Sequence, residues 1–486
     1  MDANDLVTRC QISTLKINLF LGVKHLNTLL ILSIFKSERK FKNMADLRQK
    51  LKGLYSVVDE RFYVGRSARE FNGANPALLL SFLTGVTNGR QLTFGNWGMG
   101  KTTLSETLEA VLYSTPLQVV LSTEAHGDPE VTKEEFIASP DLADLKSVLW
   151  KRFVQNPVKK FDEFNRMPSQ KQSLFFDGID RGNFEYQGIT LFSKPGPFFA
   201  TCNWPDRGNS EILPPTEDRF DIAVCSEEPD LLLRRHIMLN KERKIDYNIL
   251  KDESNDWKDM LATLDGNEDY DKKMVKLSEQ RSSFRNRLEK TLGVELLTDE
   301  EIKSITKQIN SVEISQESWS LIDMIHAEAT CPFCGEKLPN KGSCNSGCHY
   351  AKANGGSQND YMFVNTTRPL TIRFDDSLSK YSKALSWYSG SNVVHPSAIL
   401  LMLPYLLWHR AGFRDDFGSN DPYTGPLQVY RAKLIAGGLQ QRFNSDKALF
   451  MEAYNSFISN EKPKMGWFSN NRDHPLFKHY EKKMQE

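Results

Sequence analysis

Gly95-Asn96-Trp97-Gly98-Met99-Gly100-Lys101-Thr102 is a run of three glycines that ends in a lysine and a hydroxyl residue, with Thr103 directly after it. This is the form of a loop that cradles phosphates. Its glycines let backbone N–H groups converge on the phosphate oxygens, and the helix that follows adds the positive end of its dipole. Lys101 is placed to contact the β- and γ-phosphates, and the Thr102 hydroxyl to ligate Mg²⁺. The flanks agree with this. Residues 91–94 read as a short strand and 101–112 as a helix. Further strands are expected at 119–122, 158–161, 188–192, 197–201 and 222–224. Strands alternating with helices imply a parallel sheet covered on both faces, an α/β fold of αβα type.

Nucleotide hydrolysis needs carboxylates from a neighbouring strand. Phe161-Asp162-Glu163 offers them, Asp162 to hold Mg²⁺ and Glu163 to polarise the attacking water. A central parallel strand should be almost continuously apolar, yet Lys159 and Lys160 precede this pair.

The longer stretch Asp162-Glu163-Phe164-Asn165-Arg166-Met167-Pro168-Ser169-Gln170-Lys171-Gln172-Ser173 resembles the Walker B segment of the MoxR family of AAA+ ATPases. The resemblance continues in Phe198-Phe199-Ala200-Thr201-Cys202-Asn203, where the family places its sensor 1 asparagine. Leu213-Pro214-Pro215-Thr216-Glu217-Asp218-Arg219-Phe220 looks like its arginine-finger segment. Leu297-Thr298-Asp299-Glu300-Glu301 and Val312-Glu313-Ile314-Ser315-Gln316-Glu317 resemble its helical lid. Ile372-Arg373-Phe374 falls at its sensor 2 arginine, counted back from Val393-Val394-His395-Pro396, and Arg368 is the competing choice. The resemblance implies that Asn203 orients water against the γ-phosphate and that Arg219 reaches a neighbouring subunit's site. It implies that Arg373 couples nucleotide to lid motion, within or across subunits. An ion pair of Arg219 with Asp218 or Asp221 inside the chain is the structural alternative.

On this reading residues 1–59 are an amino-terminal extension and 60–230 the AAA+ nucleotide-binding domain. Residues 231–296 are a charged helical insertion, 297–330 the first part of the lid, and 331–370 a zinc-knuckle insertion. Residues 371–412 complete the lid, and 413–486 form a carboxy-terminal segment. In the charged insertion Met274, Leu277, Phe284 and Leu288 recur at helical spacing, as in one half of an antiparallel helix pair. Thr298 and Glu301 make a capping box ahead of Ile302, Ile305 and Ile309.

Cys331, Cys334, Cys344 and Cys348 form two close pairs joined by a short loop, a spacing that suits tetrahedral, structural Zn²⁺. His349 is an alternative to Cys348. The other cysteines, Cys10, Cys202 and Cys225, lie far apart, which points to a reducing cytoplasm rather than a disulfide framework. Residues 26–35 are the one membrane candidate; at about half of the ~20 residues needed to span, they read as a buried or frayed helix. Met44 offers a second start, so residues 1–43 read as an extension that adds little.

The 62 basic and 62 acidic residues cancel, so no global field recruits nucleic acid or anionic lipid. The resemblance implies an ATP- and Mg²⁺-dependent ring, a hexamer, that remodels a protein partner. The resemblance implies that the partner carries a von Willebrand factor A domain. A nucleic-acid motor using the zinc knuckle is one alternative, and a nucleotide-gated scaffold with little turnover is another.

Overall fold

The computed structural model describes residues 46–62, 64–67, 70–71, 73–130, 132–141, 147–204, 210–228, 231–242, 247–266, 268–330, 361–418, 426–459, 474–477 and 479. The four cysteines of the expected zinc knuckle, with His349, lie outside the described residues, and so does the apolar segment 26–35. The chain divides into two units, 1–49 and 50–486; in the first, the described residues 46–49 are helical.

The second unit is built on a five-stranded parallel sheet. Its strands are β1 (Arg90–Gly95), β2 (Ala125–His126), β3 (Lys159–Asp162), β4 (Phe198–Asn203) and β5 (Ile222–Cys225), in the order β2-β3-β4-β1-β5. All residues of β4 and β5 are buried, as strands covered on both faces require. Register aligns Gly95 with Asn203 and His126 with Asp162. The carboxyl ends of four strands thus meet at one sheet edge, the side where open parallel sheets take their ligands.

Residues 119–122, expected as a strand, are instead part of the helix Leu117–Ser122, and β2 follows it. A short apolar run does not by its pattern distinguish a strand from a buried helix. Here Pro116 starts the helix, and Thr123 Oγ1 closes it by donating to the carbonyls of Val119 and Val120 at 3.0 and 3.1 Å. Val119 packs with Met260, Leu261, Leu264 and Leu277. Those residues belong to helices α3 (Asp256–Asp265) and α4 (Tyr270–Leu292), which follow α1 (Pro76–Val86) and α2 (Lys101–Leu112) in the chain. Helices α3 and α4 thus form a helical hairpin whose apolar residues pack against Val119 of the α/β layer.

Both strand lysines are buried and satisfied. Lys160 Nζ donates to Val120 O at 2.7 Å and lies 3.4 Å from Glu109 Oε2 of α2. Lys159 donates to Asn156 O and sits 5.9 Å from the Phe184 ring centroid; burial pushes its ammonium down to about 7 against the pull of Glu109. Replacing Lys160 with Met strands the Glu109 carboxylate, and the expected loss of stability is about 3 kcal/mol. The check is a lowered urea midpoint that Glu109→Gln, added to the same chain, raises again.

Longer helices among the described residues then follow: α5 (Asp299–Asn310), α6 (Gln316–Ala329), α7 (Ile372–Ser389) and α8 (Pro396–Leu407). The Thr298–Glu301 capping box forms in both directions, at 2.8 and 3.1 Å. Helices α9 (Leu427–Ser445) and α10 (Lys447–Ile458) pack on α8 and α6, so these parts of the carboxy-terminal segment belong to the same helical layer. Glu328, fully buried at the end of α6, anchors it through Arg442 and His474.

Candidate nucleotide site

The loop between β1 and α2 needs glycine for two different reasons. Gly100 has φ 70°, a left-handed conformation that side chains disfavour. A Cβ on Gly95 would come within 2.6 Å of Ser226 O. No side chain caps the start of α2 at Gly100, so the N–H groups of its first turn remain available for an anion. Ser226 Oγ braces the loop by donating to Met99 O at 2.6 Å, and Trp97 at the loop tip is 84% exposed.

Lys101 lies folded over this cradle. Its Nζ donates to Gly95 O at 3.0 Å, Asn96 O at 2.8 Å and Asn203 Oδ1 at 2.9 Å. Burial lowers its affinity for the proton, opposed by Asp162, Cys202 and Glu163. The amide of Asn203 bridges onward, Nδ2 donating to Glu163 Oε1 at 3.1 Å. One asparagine therefore joins Lys101 to Glu163, the candidate base.

Asp162 lies beside them. Thr102 Oγ1 donates to its Oδ1 at 2.8 Å and Thr201 Oγ1 at 2.5 Å, with His126 Nδ1 3.7 Å from Oδ2. Burial works to raise its pKa, but the nearby His126 imidazole and the bonds from Thr201 and Thr102 prevail and hold it at about 2. An ionised carboxylate with a hydroxyl on the same oxygen fits Mg²⁺, which takes few protein ligands beside substrate phosphates. Among the described residues no cluster of three or more His, Cys, Asp or Glu forms a metal cage.

Glu163 has φ 52°, unusual for a residue with a side chain, at a cost of roughly 1 kcal/mol. Its N–H donates to Thr201 Oγ1 at 2.9 Å, and Arg166 Nε lies 3.0 Å from its Oε2. Sequence reasoning passed over three residues here. Thr201 reaches both Asp162 and Glu163 because strand alternation sets it on the same face as Asn203. Asn165 clamps the Asn203 backbone, accepting from its N–H at 3.1 Å and donating to its carbonyl at 2.8 Å. His126 is placed only by the pairing of β2 with β3.

Arg219 and Arg373 are brought together, but not at this edge. Arg219 Nε and Arg373 Nη2 lie 3.1 and 3.2 Å from Asp180 Oδ2. Asp180 also pairs at 3.1 Å with Arg90, the first residue of β1. That strand spans roughly 17 Å, so both arginines sit near the opposite, amino-terminal edge of the sheet. Arg219 does form an ion pair within the chain, with Asp180 rather than with Asp218 or Asp221. By contrast, Arg368 lines a cleft of about 950 Å³ together with Asn96, Met99, Trp204 and Trp408. Its guanidinium donates to Glu217, whose carboxyl burial pushes up to about 7 despite that arginine.

The chain is similar in structure to a protein from Cytophaga hutchinsonii described as a "putative ATPase", with a TM-score of 0.52 and 15% identity over 78% of this chain and 92% of that one. At that identity the likeness is one of fold. It agrees with the α/β architecture that the sequence resemblance implies. No family model and no curated protein matches the chain. No described helix is long and apolar enough to cross a membrane.

Proposed function

We propose that the chain is a MoxR-like AAA+ ATPase that works as a hexameric ring and couples ATP hydrolysis to the remodelling of a protein partner. One observation carries the reading. Lys101, Asn203 and Glu163 form one bonded chain, with Thr102 and Asp162 alongside, at the mouth of a loop built for phosphates. Lys101 exchanges its carbonyl acceptors for the β- and γ-phosphates. Asn203 and Glu163 then place and polarise the attacking water. Thr102 and Asp162 hold Mg²⁺, which when bound neutralises charge on the β- and γ-oxygens. Arg368, which shares a cleft with Asn96 and Met99 of the loop, serves the chain's own nucleotide. Arg219 and Arg373, at the far edge, serve the neighbour's. The four cysteines of 331–348 supply thiolates for structural Zn²⁺.

The partner is a protein, and the resemblance points to one with a von Willebrand factor A domain. Neutral net charge disfavours a nucleic-acid motor, and the strand lysines, Lys160 paired with Glu109 and Lys159 bonded to a backbone carbonyl, remove one argument for an idle scaffold. The test is capture by Glu163→Gln, which is expected to bind ATP without cleaving it. A protein recovered with ATP, and not by Lys101→Ala, supports remodelling. Recovery of nuclease-sensitive material instead overturns it in favour of the motor, and recovery of nothing favours the scaffold.

A further inference from the structure

Three guanidiniums converge on Asp180, those of Arg90, Arg219 and Arg373, each within 3.2 Å. Arg90 is also held by the buried carboxylate of Asp221 at 2.8 Å, which ties the cluster to the sheet. Arg373 is braced by Asp218 at 3.3 Å, and Thr371 Oγ1 holds Asp218 in turn at 2.7 Å. The Arg219 guanidinium lies 3.7 Å over the Phe176 ring, and its Nη1 donates to Pro215 O at 2.6 Å. Phe176 and Asp180 are four residues apart on the short helix Phe176–Arg181, so one element presents both the ring and the carboxylate.

Two consequences follow from this arrangement. A free arginine side chain loses rotamer entropy on meeting an anion, and a guanidinium already fixed loses less of it. The charges are also unbalanced. Arg90, Arg219, Arg373, Lys380 and Arg410 are five cationic side chains set against the three carboxylates Asp180, Asp218 and Asp221. The cluster is thus rigid, with positive charge to spare, and about a strand length from its own chain's phosphate loop.

We propose that Asp180 is a positioning residue for catalysis between subunits: with Phe176 it holds Arg219 and Arg373 as a preformed pair for the nucleotide phosphates of a second copy of this chain. This rests on the ring reading above. Asp180 touches no substrate and acts through the two arginines.

The experiment mixes chains that are inactive alone and reads phosphate release. Arg219→Ala supplies an intact phosphate site, and Lys101→Ala supplies an intact arginine pair. Their mixture sets the reference. With Asp180→Asn added to the Lys101→Ala donor, the rescue is expected to fall by about ten- to hundredfold, the scale of a small misplacement of a catalytic group. With Asp180→Asn added to the Arg219→Ala acceptor, the rescue should be unchanged, and Asp180→Glu in the donor should restore part of it. A general folding defect would weaken both sides alike, so equal losses overturn the proposal. Full rescue by the Asp180→Asn donor, or a gain, also overturns it. Phe176→Leu in the donor is the second variant should Asp180→Asn not fold, and it too is expected to lower rescue; unchanged rescue counts against the proposal. Absence of rescue in the reference mixture refutes the ring reading itself, a different result.

Discussion

Lys101→Ala is expected to lose ATP binding, whereas Glu163→Gln binds ATP and fails to cleave it. Lys101 Nζ already finds three oxygen acceptors in the cradle, so its position there is set before phosphate arrives. Two charge-assisted bonds to phosphate, at about 1.5–3 kcal/mol each, are lost with it. The affinity then falls by roughly two to four orders of magnitude. Glu163 accepts from Asn203 through one oxygen, and a glutamine carbonyl preserves that bond. What the amide lacks is basicity, so phosphate release falls by about 10²–10⁴-fold with little change in ATP affinity. Equilibrium binding of a fluorescent ATP analogue, with single-turnover phosphate release, separates the two effects. Release by Glu163→Gln at the parental rate would show that another group is the base.

Arg219→Ala is expected to reduce turnover by about three orders of magnitude or more, since a guanidinium that meets transition-state charge is worth that much in phosphoryl transfer. The loss should be repairable by a neighbour. An Arg219→Ala chain keeps its phosphate site and a Lys101→Ala chain keeps its arginines, so a mixture of these two inactive proteins regains hydrolysis. Parental turnover per chain should also rise with concentration as rings assemble. The ion pair with Asp180 and the stacking on Phe176 could instead be structural. In that case Arg219→Ala lowers the melting temperature, mixing restores nothing, and turnover per chain is independent of concentration. Light scattering, run on the same mixtures, confirms that mixed assemblies have formed.

Much of the site is legible from residues close together in the chain. The loop between β1 and α2 has glycines at set offsets and a helix behind them, as the local pattern predicts. The Thr298–Glu301 box is a contact across three residues and forms as its pattern predicts. The helical spacing of Met274 to Leu288 likewise reports α4. The identity of 119–122 was not legible, because its apolar residues satisfy either secondary structure. The contacts of Val119 with α3 and α4, more than a hundred residues away, go with the helix.

By itself the sequence determined the glycine-rich loop between β1 and α2, the order of the motifs along the chain, and the chemical type of each candidate group. These depend on backbone conformation and side-chain chemistry within a few residues. The tertiary structure decided how those groups meet. Strand order set Asn203 between Lys101 and Glu163, and pairing of β2 with β3 added His126 beside Asp162. The folding of α2 against the sheet gave Lys160 the Glu109 carboxylate that lets a charged residue occupy a buried strand. Arg219 and Arg373, far apart in sequence, came to share Asp180 at the edge away from the phosphates, while Arg368, five residues before Arg373, joined the cleft. Sequence spacing cannot assign a residue to one end of a strand or the other, because that is settled by non-local packing of strands and helices.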